Sequence, residues 1–219
     1  MNTEKESTQP VNEPKQRRSA YTQEKILSVV ERHLLDGTYE DISVQDIVRE
    51  SGCSVGAFYG RFANKAGAMY HFYDGRCQEL EKLVADVLDP SRGAPLSVLL
   101  QEFVHIVVYR TFSYASIIRS DVLRVSTGAD NSFSSRARDL NAVLLASLLQ
   151  CLSAREAELS HKASHENALF VLAMVGGLAR DAVINSDRIV KDSGGFTLDS
   201  FIVELERAVN RYLGVLPVT

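Results

Sequence analysis

The stretch SVQDIVRESGCSVGAFYGRFANK (43–65) limits the fold more than any other part of the chain. It places three side-chain caps, Ser43, Ser54 and Asn64, at the heads of three helical segments. Ser43-Val44-Gln45-Asp46 is a capping-box start with Asp in the usual place of Glu. Gly52 supplies the left-handed residue that stops the first segment near residue 51. The second segment, Val55 to about Gly60, is little more than one turn. Isolated helices below about 12–15 residues are marginal in water. Both short segments must therefore be packed on a longer neighbour.

That neighbour precedes them. From a Thr22 cap, Ile26, Val30 and Leu34 recur at helical spacing, and Gly37 ends the run. Phe58 and Phe62, one turn apart, face inward with Ile47, Val30 and Ile26. Two short helices joined by a Gly-containing turn over one longer helix form a helix-turn-helix, whose second helix enters the DNA major groove. The remaining residue types fit that use. Val55, Gly56 and Ala57 are small enough for close approach to bases. Tyr59 can bury its ring and offer its hydroxyl to a phosphate, and Arg61 and Lys65 bring charge.

Helical periodicity continues to the C-terminus. The expected helices are Asn64-capped to about Leu88, Leu96 to about Ser116, Ile117 to Val125, 133–152, about 155–187 and Leu198 to Leu213. Breaks are read at Asp89–Gly93, Ser126–Gly128 and Asp192–Gly195. No segment alternates as a strand would, so the chain reads as all-α. The polar residues 1–19 are expected to be a disordered arm ending in the cluster Lys15, Arg17 and Arg18. Residues 20–70 are read as the helix-turn-helix domain, and 71–219 as a larger helical domain.

A net charge of −4 over 219 residues excludes a general basic coat, so any nucleic-acid surface must be local. Cys53, Cys77 and Cys151 are odd in number and form no CxxC pair, so they read as buried small hydrophobes, with redox sensing by one thiol as the alternative. The N-terminus lacks a signal-like apolar region, and the apolar run at 168–179 is short for a bilayer span. A cytoplasmic protein without membrane contact is expected. No catalytic triad, phosphate loop or dinucleotide fingerprint is visible, so no enzyme activity and no cofactor are expected.

The run from Ile26 to Tyr70 resembles the DNA-binding module of TetR-type (tetracycline-repressor-type) transcriptional regulators. The matching features are Ser-Val-x-Asp-Ile opening the second helix, the Gly-x-Ser turn, the Phe58-Tyr59 pair, Phe62, and Asn64-Lys65 opening the fourth helix. One departure is Ala66-Gly67-Ala68-Met69, where the family usually has an acidic residue and a leucine. Gly67 weakens that first turn by up to about 1 kcal/mol relative to Ala. The resemblance implies phosphate contacts from Ser43, Tyr59 and Lys65. It puts Gln45, Val55, Gly56 and Ala57 against bases, with Ser54 at the head of the recognition helix and Arg61 on backbone or base. Gln45 is the hydrogen-bonding base reader, suited to adenine.

The resemblance also implies a homodimer on a near-palindromic operator in double-stranded DNA, and a small-molecule effector. The helix around ALFVLAMVGGLA is apolar on nearly every face, and Gly176-Gly177 within it suits close helix–helix approach. The last helix carries Phe201, Leu205, Ala208, Val209 and Tyr212 on one stripe. A four-helix dimer interface explains both helices, and so does a monomeric core. Phe103, His105, Tyr109, Phe112 and Phe133 are the expected pocket residues, with Arg110 and Tyr114 among their polar neighbours.

Rival readings rest on Glu102/His105 and Glu158/His161, which have the Glu-x-x-His spacing of di-iron bundles. His161 and His165 have zinc-ligand spacing. A nonspecific nucleoid-type DNA binder is the milder rival, and the acidic balance argues against it.

Overall fold

The structure, a computed structural model, describes residues 15–115, 118–119, 132–185 and 197–216, with side chains from Ser19 onward. These residues form eight α-helices and one short 3-10 turn. In chain order the helices are α1 (Lys15–Leu35), α2 (Val44–Ser51), α3 (Val55–Tyr59), α4 (Lys65–Val87), α5 (Leu96–Ser113), α6 (Ser132–Ala154), α7 (His165–Ile184) and α8 (Leu198–Leu213). The chain is all-α, as its periodicity requires.

Local caps set the small helices. Ser43 accepts from the Asp46 N–H, while the Asp46 carboxylate accepts from the Ser43 N–H, closing the capping box. Ser54 and Asn64 accept from Ala57 and Gly67 in the same way. Gly37 and Gly52 sit at φ 70° and 65°, the left-handed region where a side chain would be strained.

Two apolar cores result. Around α1–α3 and the start of α4, Ile26, Val30, Ile47, Phe58, Phe62 and Met69 are buried together. Phe133, from the start of α6, joins this head core against Tyr70 and Tyr73. The second core draws on the later part of α4 and on α5–α8. Helix α4 runs unbroken between them, so the boundary expected near residue 70 falls inside one continuous helix.

Several expectations change. Helix α1 starts at Lys15, ahead of the expected Thr22 cap, so residues 15–19 of the arm are helical. Lys15–Tyr21 has no apolar stripe to announce a helix. The expected helix at 155–187 begins only at His165, where Ser164 and Asn167 form a capping box. Before it come the 3-10 turn Glu156–Glu158 and a bridge between Leu159 and Val215. The expected helix at 117–125 and the breaks at 126–128 and 192–195 fall, apart from Ile118 and Arg119, outside the described residues.

The di-iron reading loses its geometry here. Glu158 is not on a helix face with His161. Its carboxylate accepts from the Leu96 N–H at 2.7 Å, capping α5, and from Arg155 at 2.9 Å. Glu102 pairs with Arg92, and His105 stacks on Tyr109. No cluster of three potential metal-binding side chains occurs among the described residues.

Candidate nucleic-acid interface and effector cavity

The head presents one face built from α2 and α3. Gln45, Ser54, Val55, Gly56 and Tyr59 are exposed there, Val55 at 49% and Tyr59 at 54%. Phe58, in the same short helix, is fully buried, and Ala57 is half-buried. This alternation follows from α3 spending one side on the core and leaving its small residues outward. Tyr59 departs from expectation, because its ring is exposed and only its edge meets Phe58, at 5.4 Å.

The expected cations are committed inward. Lys65 donates to the carbonyls of Tyr39, Glu40 and Ile42 at 2.9, 3.0 and 3.1 Å. An ammonium has three protons to give, so these bonds occupy it. Tyr39 returns a hydrogen bond to the Lys65 carbonyl, and the loop before α2 is thereby clamped to α4. Arg61 donates to the Ala57 carbonyl at 2.7 Å and to the carbonyl and hydroxyl of Ser19. It ties the end of α3 to α1. Ser43 is likewise engaged, since its hydroxyl donates to Asp46 at 2.6 Å. In this conformation Lys65, Arg61 and Ser43 thus hold contacts within the head, where the resemblance implied phosphate contacts for Lys65 and Ser43 and backbone or base contacts for Arg61. Sequence alone cannot show this, because the partners of Lys65 are backbone carbonyls brought near only by folding.

Further polar ties brace the head. His33 is hydrogen-bonded to Thr38 and to Glu50, and Arg32 donates to the same Glu50 carboxylate. The His33 bond, reinforced by Arg32, holds the Glu50 carboxyl below its usual range. Hydrogen bonds from Ser43, and then Arg49, hold Asp46 down at about 2.

A cavity of about 160 Å³ lies among α4, α5, α6 and α7. Each helix contributes residues at one-face spacing: Tyr73, Arg76, Cys77 and Leu80; Val107, Arg110, Thr111 and Tyr114; Leu140 and Leu144; Leu172, Gly176 and Arg180. None of the five expected pocket residues lines it. Phe103 is fully buried in the core, and His105 and Tyr109 stack on the outer side of α5. Phe112 packs towards Phe201, and Phe133 belongs to the head core. Which face of α5 meets the cavity is decided by tertiary packing, which the aromatic pattern does not encode. Arg110 and Tyr114 do line the cavity.

The cavity wall is cationic on the α4–α5 side. Arg76 pairs with Glu79 at 3.0 Å and reaches Glu31 of α1 at 4.0 Å. Arg110 lies 3.8 Å from Glu79 and 3.5 Å from the Tyr114 hydroxyl. Burial works against the Arg76 charge, but Tyr114, Glu79 and Glu31 together outweigh it and raise its basicity. Its Nε–H is buried with no acceptor among the described residues. Burial pushes the Cys77 and Cys151 thiols up to about 11, which leaves them protonated and inert near neutrality.

No protein-family profile and no curated protein matches the sequence. Solved structures do match the fold. A protein from Mesorhizobium loti assigned to the TetR family of transcriptional regulators superposes with a TM-score of 0.72 at 13% identity, covering 90% of this chain and 96% of its own. A TetR-family transcriptional regulator from Pectobacterium atrosepticum gives 0.64 at 13% identity, covering 94% and 99%. GusR of Salmonella enterica gives 0.61 at 18% identity, covering 88% and 95%. The chain therefore has the all-helical fold of TetR-type regulators.

Proposed function

We propose that this chain is a sequence-specific DNA-binding transcriptional regulator of the TetR type, working as a homodimer in the cytoplasm. The observation that carries this reading is the α2–α3 face. It exposes Gln45, Ser54, Val55, Gly56 and Tyr59 together on a unit whose other side is buried. Gln45 reads a base, the small residues of α3 let the backbone approach the groove, and Tyr59 and Ser54 reach phosphates. Lys65 and Arg61 hold the reading elements in place rather than touching DNA.

The dimer reading is supported by α7 and α8. Phe170, Ala173, Gly177 and Ile184 share an outward side of α7, and Phe170, 52% exposed, packs on Tyr212 of α8 at 4.6 Å. A methyl group added at Gly177 would meet no atom of another described element within 4 Å. The close approach that justifies glycine there is supplied by a second copy. Helix α7 is also the one described helix long and apolar enough to cross a bilayer, with a mean hydropathy of 1.6. In this reading its apolar outer side faces the partner subunit.

Binding at the operator blocks transcription, and a small molecule in the α4–α7 cavity favours a conformation with a different spacing of the two heads. Retention of sheared genomic DNA from the source organism by the purified protein tests this. A few fragments sharing an inverted repeat are expected. Absence of enrichment at low salt would overturn the reading.

A further inference from the structure

Resting on the reading of the α4–α7 cavity as the effector site, we infer that its ligand is a small carboxylate with a body of about one ring. The carboxylate binds between Arg76 and Arg110, and in doing so draws Arg76 away from Glu31 of α1. Three observations converge on this.

The first is size. The cavity measures about 160 Å³, close to the roughly 150 Å³ that accommodates benzene in an apolar protein interior. Leu80, Val107, Leu140, Leu144 and Leu172 supply an apolar wall for such a body.

The second is charge. Arg76, Arg110 and Arg180 all line the cavity. Arg76 and Arg110 share one carboxylate, Glu79, whose side chain is 44% exposed and free to turn to solvent. Arg180 stands at the solvent-exposed rim, and the buried Arg76 Nε–H lacks an acceptor among the described residues. A cationic ligand would be repelled by these guanidinium groups and would leave the buried Arg76 Nε–H unanswered. A carboxylate accepts from two guanidinium groups at once and from the Tyr114 hydroxyl beside them.

The third is connection. Arg76 stands on α4 with Glu31 of the head 4.0 Å away. A carboxylate bound in the cavity competes with Glu31 for the same guanidinium. The ligand therefore favours the state in which this α1–α4 tie is open, which is the differential contact a switch requires. Another α1–α4 hydrogen bond, Gln23 to His71, lies nearer the start of α4 and involves no carboxylate.

The test is calorimetric titration of the full chain with benzoate, benzamide and benzylamine in physiological salt. Benzoate should bind at least about tenfold more tightly than benzamide, as expected for charge-assisted hydrogen bonds, and benzylamine should not bind. Arg110→Gln and Arg76→Gln should each weaken benzoate about tenfold or more and leave benzamide nearly unchanged. Glu31→Gln, outside the cavity, should strengthen benzoate about 2- to 5-fold, the range of an exposed ion pair.

Equal or tighter binding of benzamide would overturn the anionic class while leaving the cavity a small-molecule site. An unchanged benzoate affinity in Glu31→Gln would overturn the link to the head. Failure of all three probes, together with unaltered DNA affinity when Gly176→Leu fills the cavity, would overturn the effector reading itself.

Discussion

Among the described residues, thirteen buried apolar ones make the head core, and five of them, Tyr39, Phe58, Phe62, Phe72 and Phe133, are aromatic. The described body core has twenty-four, of which Phe103 alone is aromatic. A small unit has too little interior to be held by aliphatic burial, so each buried residue must contribute more area. The head also relies on polar ties: three side-chain caps, the Lys65 clamp, the Arg61 bond to Ser19 and the Arg32–Glu50–His33 set. The body is mostly packed aliphatic helices. The head thus has its geometry fixed by few, individually important contacts. The body, with redundant packing, can hold a cavity between its helices.

Substitutions can separate the two. Phe58→Ala should have the largest effect, about 3–5 kcal/mol, and confined to the head. Hydrogen exchange should show α1–α3 opening while α5 and α7 stay protected; equal loss of protection throughout would mean the cores are one cooperative unit. Phe170→Glu should act only on the body surface. It would place an unpaired charge in the proposed dimer interface, at a cost of about 3–5 kcal/mol, and sedimentation should report monomers with an unchanged melting profile of the head.

Lys65→Met comes next. Loss of charged hydrogen bonds to three carbonyls should lower head stability by about 1–3 kcal/mol, with the salt dependence of DNA binding unaltered. A salt slope reduced by about one, with unchanged stability, would return Lys65 to the phosphate contacts. Gly67→Ala should stabilise α4 by up to about 1 kcal/mol, because the added methyl meets only the Asn64 oxygen, at an ordinary 3.5 Å. A lowered melting temperature would show that the first turn must yield.

The smallest effect is a pH dependence. Asp46 is held at about 2 against an ordinary 3.8, chiefly by Ser43. Its folded-state pKa is depressed, so its contribution is full above the unfolded value and fades as pH falls from near 4 towards 2. Asp46→Asn should flatten the helix loss seen by circular dichroism over that window; an identical acid profile would remove the capping box from the account.

What could be read in advance was local. Ser43, Gly52, Ser54 and Asn64 act within a few residues, and the limits of α2, α3 and α8 follow from such signals. The break before α7 was hidden because Glu156–Glu158 suits a helix, and its capping box uses Asn167 where Glu is usual. The exposed face of α3 followed from sequence, since Phe58 and Phe62 fix which side is buried. The inward turn of Arg61 and Lys65, and the cavity on the Arg110–Tyr114 side of α5, depend on contacts between distant segments.

The most direct test of the account is selection from random double-stranded DNA by the full-length protein. The account predicts an inverted repeat with half-site centres about 10 bp apart or a multiple of that, with Gln45→Ala relaxing one base pair in each half. No enriched motif at low salt, or a single unrepeated half-site, would contradict it.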